Sequence, residues 1–244
     1  MEHTFLGKWI TDSEFSSLKP RNVFHKQLEK VNLPCEEHRN RHVLFRKKFA
    51  CDSAGEQAML YISADDYYKL YINGVFVAQG PAPSYHFFYN YNAIDVSRYL
   101  QKGENLIAVH TLYQGLINRV WQSGDNRHGL ILDLVIGGKT IVTSDETFRT
   151  ALHTAYSELG TTGYATQFLE RYDSNAREVA FAAPSFEDSY WEHARLSQYA
   201  DHTLTLQLSP LQRQKRHHLL HLLRKLQHPQ NPQAMSNASD RSIE

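Results

Sequence analysis

Neighbouring carboxylates such as Asp65-Asp66, Asp145-Glu146 and Glu187-Asp188 in this 244-residue chain could do acid–base work. Cleaving a glycosidic bond takes two carboxyls about 5–5.5 Å or 6.5–9.5 Å apart across that bond, one of them with a raised pKa. Sequence neighbours on a strand point to opposite faces of the sheet, so adjacency does not aim two carboxyls at one substrate. Asp65-Asp66 stands just before a strand and is expected to accept backbone amides in the turn leading into it. No catalytic residue is assigned on this pattern.

Recognition of a sugar is the better fit. Sugar rings lay their apolar faces on aromatics while polar side chains bond their hydroxyls, so a binder needs Trp or Tyr beside Asn, Asp, Gln or Arg. Two stretches hold that mixture: residues 83–91, with Tyr85 and His86, and residues 114–128, with Asn118, Arg119, Trp121, Asp125 and Arg127. These seven are the candidate carbohydrate contacts. Aromatics in such stretches equally serve as core between two sheets, or as a surface packed on another domain, and both readings stay open here. The histidines are scattered apart from His217, His218 and His221, whose i, i+3/i+4 spacing in the tail makes an adventitious metal site at best; no phosphate-binding glycine loop occurs, and neither metal nor cofactor is expected.

The elements that must position these loops read as strands. Runs 42–50, 57–63, 67–72, 75–78, 87–94, 105–112, 130–136 and 140–143 are rich in aromatic and branched residues, with 148–154 and 165–170 weaker. Asn73-Gly74 and Gly137-Gly138 suit tight hairpin turns, whose central positions need positive φ. Residues 95–100 read as a short helical turn. Short strands punctuated by turns, with no helix alternating between them, predict an all-β sandwich over 41–208. Residues 1–40 form a lead-in in which Trp9-Ile10 can make a short strand.

After Pro210 the composition shifts. Residues 211–244 lack Val, Thr, Tyr, Phe, Trp, Gly and Cys, and leucines 219, 220, 222, 223 and 226 predict a helix over about 213–227, ended by Pro229, before a disordered end. A basic amphipathic helix that meets a partner or membrane surface is one reading. A non-native ending, from truncation or a frame shift, is the other. The whole chain balances 26 basic against 26 acidic residues, with the excess of base in that tail. The mildly acidic body argues against nucleic acid as a partner. Cys35 and Cys51 are too few for a disulfide framework and read as free thiols. With no signal-peptide pattern and no apolar run long enough to span a bilayer, the chain is expected to be cytoplasmic, with no membrane partner.

The stretch 64–74 (ADDYYKLYING) resembles the amino-terminal domain of bacterial α-L-rhamnosidases, and the resemblance runs over roughly residues 5–208. It continues through Gly80-Pro81-Ala82-Pro83-Ser84-Tyr85, residues 94–100 and 103–109, the run 113–121 and 166–170. Phe186-Glu187-Asp188-Ser189-Tyr190-Trp191 is similar to the closing Asp-x-x-Trp signature of galactose-binding-like jelly rolls. The resemblance implies a jelly-roll sandwich attached to a larger glycosidase whose catalytic carboxylates sit on a separate helical toroid. No position here matches those carboxylates. The expectation is a non-catalytic carbohydrate-binding or supporting domain whose partners are a carbohydrate, with rhamnose-containing glycans the first candidate, and a catalytic domain absent from this chain. A free-standing lectin-like module and a non-functional truncated fragment are the alternatives.

Overall fold

The computed structural model describes residues 2–21, 38–52, 55–85, 87–116, 123–163 and 167–208. The chain divides into units 1–212 and 213–244; the second, where the tail helix is expected, lies outside the described residues.

Ten strands follow the alternating runs of the sequence: β1 (Ile10–Thr11), β2 (Arg41–Cys51), β3 (Ala58–Asp65), β4 (Tyr67–Ile72), β5 (Val75–Gly80), β6 (Tyr89–Asp95), β7 (Gly103–Tyr113), β8 (Gly129–Ile136), β9 (Lys139–Thr143) and β10 (Arg149–Leu152). Five shorter ones complete the set: β11 (Tyr156–Thr161), β12 (Phe168–Tyr172), β13 (Glu192–His193), β14 (Arg195–Leu196) and β15 (Leu204–Leu206). Among the described residues, the first sheet runs β14-β1-β8-β3-β6-β15, with β9 also on β8, and the second runs β13-β10-β2-β7-β4-β5. The pairing is antiparallel except where β15 joins β6. From β1 to β10 the chain passes between the two sheets at every connection except the β4–β5 and β8–β9 hairpins, and the architecture is the expected jelly-roll β-sandwich.

Val43, Phe45, Leu70, Ile72, Ile107 and Val109 of the second sheet meet Leu60, Ile62, Leu130, Leu132 and Leu134 of the first in one buried core. The Asn73-Gly74 turn carries φ of 50° and 83°, and Gly137-Gly138 carries 55° and 78°, as hairpin turns of this length require. Residues 97–99 form the short helical turn, and Asp95 Oδ1 accepts the Ser97 amide at 3.0 Å. The lead-in is pinned as well. Fully buried Asp133 of β8 accepts the amides of Leu6 and Gly7, each at 2.8 Å, and pairs with His3 Nε2 at 2.8 Å.

Three features depart from the sequence reading. Strand β6 begins at Tyr89, and Phe87 and Phe88 are exposed in the loop before it. Strand β11 was not expected, and it pairs with β12 as a separate two-stranded hairpin. Part of the outer face of the second sheet is covered. Residues 42–46 of β2 and 105–111 of β7 are buried without alternation, because segment 177–191 and the connection 153–156 lie over them. Cys51 is a buried free thiol, while Cys35 lies outside the described residues.

Candidate functional site

The register of β2, β7 and β4 puts His42 beside Leu112 and Tyr67, and His110 beside Lys69, all on the outer face of the second sheet. These side chains floor a groove of about 930 Å³. One wall is the β11–β12 hairpin, contributing Thr162 and residues 167–170; the other is residues 79–83 with Gln207. Asn40 and Gln114 stand at one end.

Histidines form the floor's polar centre. His42 Nδ1 lies 2.9 Å from His110 Nε2, and His42 Nε2 lies 3.3 Å from Asn40 Oδ1. An amide oxygen only accepts, so His42 donates from Nε2, accepts at Nδ1, and His110 donates from Nε2. Tyr156 stacks on His42 with ring centres 4.2 Å apart, and His153 sits edge-on to Tyr156 and to His110. Burial drives the pKa of His42 down to about 3 and that of His153 to about 4, and holds His110 well below its ordinary value; neighbouring histidines and Lys69 reinforce the shift at His42 and His110, while at His153 Glu178 opposes it and Lys69 reinforces it. The imidazoles of the floor are therefore neutral at neutral pH. Lys69 and Glu170 are the charged residues of the described lining, one of each sign.

Gln114 is 5 % exposed, and its Oε1 has no hydrogen-bond partner among the described residues. A buried carbonyl without a donor costs roughly 1–3 kcal/mol, so this end of the groove suits a hydroxyl or amine. The backbone of Gln114 is held from beneath: its amide donates to Asp66 Oδ2 at 2.7 Å, and the Ser123 hydroxyl donates to the same oxygen at 2.5 Å. Gln207 Oε1 accepts from the Ala82 amide and from Asn92 Nδ2, both at 2.8 Å, and Asn92 Oδ1 accepts the Tyr68 hydroxyl at 2.6 Å.

The first carboxylate pair does not behave as strand alternation suggests. Asp66 lies in the bend between β3 and β4, outside the pleat, and its carboxyl bonds that of Asp65. The amide that Asp66 accepts belongs to Gln114, 48 residues away, and not to its own turn. Burial, with the nearby Asp125 carboxylate, pushes Asp65 up to about 8, and burial with Asp65 raises Asp66 well above the usual carboxylate range. Asp65 Oδ2 meets His202 Nε2 at 2.8 Å, with His202 stacked on Trp9 and edge-on to Tyr89. This cluster is an interior anchor.

Three of the seven sequence-predicted contacts, Tyr85, Asp125 and Arg127, lie among the described residues. Tyr85 is 45 % exposed, two residues beyond the groove wall. Asp125 is buried and paired with Arg127 Nη1 at 2.7 Å, and Arg127 also bonds Asp201 at 2.8 Å. His86, Asn118, Arg119 and Trp121 lie outside the described residues. The groove residues themselves escaped the sequence reading. His42 and His110 are 68 positions apart on strands with no local cue; a histidine at an outward position of each strand was the one available signal.

The sequence profile of the alpha-L-rhamnosidase N-terminal domain matches residues 53–216, well over half of the chain. Among solved structures, a GH78 family rhamnosidase of Bacillus sp. GL1 is 26 % identical with a TM-score of 0.66, over 86 % of this chain and 20 % of that one. The α-L-rhamnosidase from Dictyoglumus thermophilum is 22 % identical with a TM-score of 0.59, over 84 % of this chain and 22 % of that one. The α-L-rhamnosidase from Aspergillus terreus is 24 % identical with a TM-score of 0.54, over 70 % of this chain and 20 % of its own. This chain thus spans about a fifth of each enzyme. No curated protein matches it. By its jelly-roll sandwich and by the profile that covers it, the chain belongs to the α-L-rhamnosidase N-terminal domain family.

Proposed function

We propose that this chain is a non-catalytic carbohydrate-binding domain of a rhamnosidase-type glycoside hydrolase, and that the groove on its second sheet takes a rhamnose-containing glycan. The observation that carries this is the buried Gln114 Oε1, without a donor among the described residues, in a groove lined by amides, neutral imidazoles and aromatics. Such a lining offers hydrogen bonds to hydroxyls and apolar faces to sugar rings without a net charge. Hydrolysis needs two carboxyls, and Glu170 is the one carboxylate of the described lining. Asn118, Arg119 and Trp121 remain candidate contacts on the sequence alone.

Titration calorimetry with L-rhamnose and with rhamnose-containing oligosaccharides tests the reading. Binding is expected, with Gln114→Leu weakening it about tenfold, as the loss of one hydrogen bond of roughly 1.4 kcal/mol requires. The chain is expected to release no nitrophenol from p-nitrophenyl rhamnoside. Binding unchanged in Gln114→Leu, or turnover above background, would remove the proposal.

A supporting role, packing against a catalytic domain, is favoured by a different observation. Leu159, Leu169 and Tyr172 on the β11–β12 hairpin are 62 %, 48 % and 47 % exposed. No binding to any glycan, together with association of the chain with a separately produced rhamnosidase catalytic domain, would select this role.

A further inference from the structure

Resting on the groove's reading as a sugar site, we propose that its ligand is a linear chain of several uncharged sugars, one ring bound in the groove and the next laid across an aromatic platform formed by Tyr85 and Phe87. The platform begins where the groove wall ends. Residues 80–83 line the groove, and the chain then turns out through Ser84 to Tyr85. Tyr85 and Phe87 stack with ring centres 5.1 Å apart and 20° between planes, and they are 45 % and 61 % exposed. Phe88, beside them, is 55 % exposed.

The loop that displays these rings is braced. The Phe88 amide donates to the Tyr85 carbonyl at 2.8 Å, the Asn90 amide to Ser84 Oγ at 2.9 Å, and Asn90 Nδ2 to the Ala82 carbonyl at 3.1 Å. Through Ala82 the same loop is tied to Gln207 in the groove. An exposed aromatic on a braced loop loses little conformational freedom when a ligand stacks on it. The two rings are stacked nearly parallel, one backing the other, so the pair presents a flat aromatic face that matches the apolar face of a sugar.

Size and charge agree. About 930 Å³ is near the upper end for small-molecule sites, more than one sugar ring needs. One lysine, one glutamate and neutral imidazoles give an acidic glycan no net attraction.

The test is a length series: L-rhamnose, and linear oligorhamnosides of two, three and four units, titrated against the full chain, its Tyr85→Ala and Phe87→Ala variants, and Gln114→Leu. Affinity is expected to rise about three- to tenfold from one unit to three, the increment that stacking on aromatic rings supplies. Tyr85→Ala and Phe87→Ala should abolish that rise while leaving affinity for rhamnose itself unchanged; Gln114→Leu should weaken every length alike. Both platform positions are surface sites, and matching thermal unfolding curves would show that the variants fold. Equal affinity for all lengths, or platform variants that leave the rise intact, overturns the platform while sparing the groove. Absence of binding at every length overturns both. Loss of association with a rhamnosidase catalytic domain, with the length series unaffected, would reassign Tyr85 and Phe87 to an interface.

Discussion

At the scale of single residues, the interior of this domain holds protons against their ordinary equilibria in both directions. His42, His128, His153 and His202 are held neutral down to about 3–4 by burial, and burial holds His110 well below its ordinary value as well. An unfolded chain would protonate these five near 6.5, so acid stabilises the unfolded state and stability rises with pH up to about 6.5. Asp65 and Asp66 act oppositely: folded, they keep protons that the unfolded chain releases near 4. Their contribution is complete below about 4 and is lost as pH rises through about 8, the value for Asp65. Around Asp65 stand Asp66, Asp125, Arg127, His202 and Tyr89, with the His128 ring on its carbonyl, and Asp201 on the far side of Arg127. Five histidines outweigh two carboxyls below about 6.5, and only the carboxyls act above it. Thermal stability is therefore expected to peak near pH 6.5 and to decline towards pH 9, with Asp65→Asn flattening the alkaline limb. Scanning calorimetry across that range checks it, and a melting temperature still climbing between pH 7 and 9 would contradict it.

At the scale of elements, the segment 177–191 covers an apolar face because one arginine holds it there. Arg46 on β2 is fully buried; its Nε bonds Asp188 at 2.6 Å, and its remaining nitrogens bond the carbonyls of Phe181, Ala183 and Phe186. Its guanidinium also lies 5.2 Å from the Phe186 ring centre and 6.0 Å from that of Trp191. The Asp-x-x-Trp run thereby acquires a physical meaning: the aspartate neutralises a buried charge, and the tryptophan fills the sheet's outer face beside Leu44, Leu106 and Ala108. Asp188→Ala leaves that charge uncompensated and is expected to cost about 3 kcal/mol. Asp188→Asn keeps an acceptor and should cost about 1 kcal/mol. Urea unfolding midpoints measure both, and losses below about 0.5 kcal/mol in each would show that Arg46 does not hold the segment. The motif was legible in the sequence; its partner, 142 positions earlier in an ordinary strand, was not.

At the scale of the whole sandwich, stability should be uneven in a way that serves the groove. Strands β2 and β7 pair over eleven residues, Arg41 with Tyr113 through Cys51 with Gly103, and are buried on both faces for half that length. The β11–β12 hairpin has two strands, and it leans on the body through Tyr156 on His42 and the Arg39–Glu158 pair at 2.8 Å. Two-stranded ribbons are marginal alone, so hairpin amides should exchange with deuterium well before those of β2 and β7. Saturating oligosaccharide should slow exchange in residues 156–162 and 167–172, since Thr162 and residues 167–170 of that hairpin wall the groove. A hairpin as protected as β7 in the free protein, or one unmoved by ligand, would count against this division. The sequence alone determined the strands, the tight turns and the class of fold, because side-chain alternation and positive-φ turn residues act over a few positions. Asn73-Gly74 needs no distant partner to turn the chain. Only the tertiary structure decided that His42, His110 and Gln114 share one groove, that Asp65 and Asp66 face each other in the interior, and that β2 and β7 are covered on both sides. Those outcomes depend on which sheet each strand joins and on what later segments lay over it, and contacts across 48 to 142 positions leave no periodicity to read.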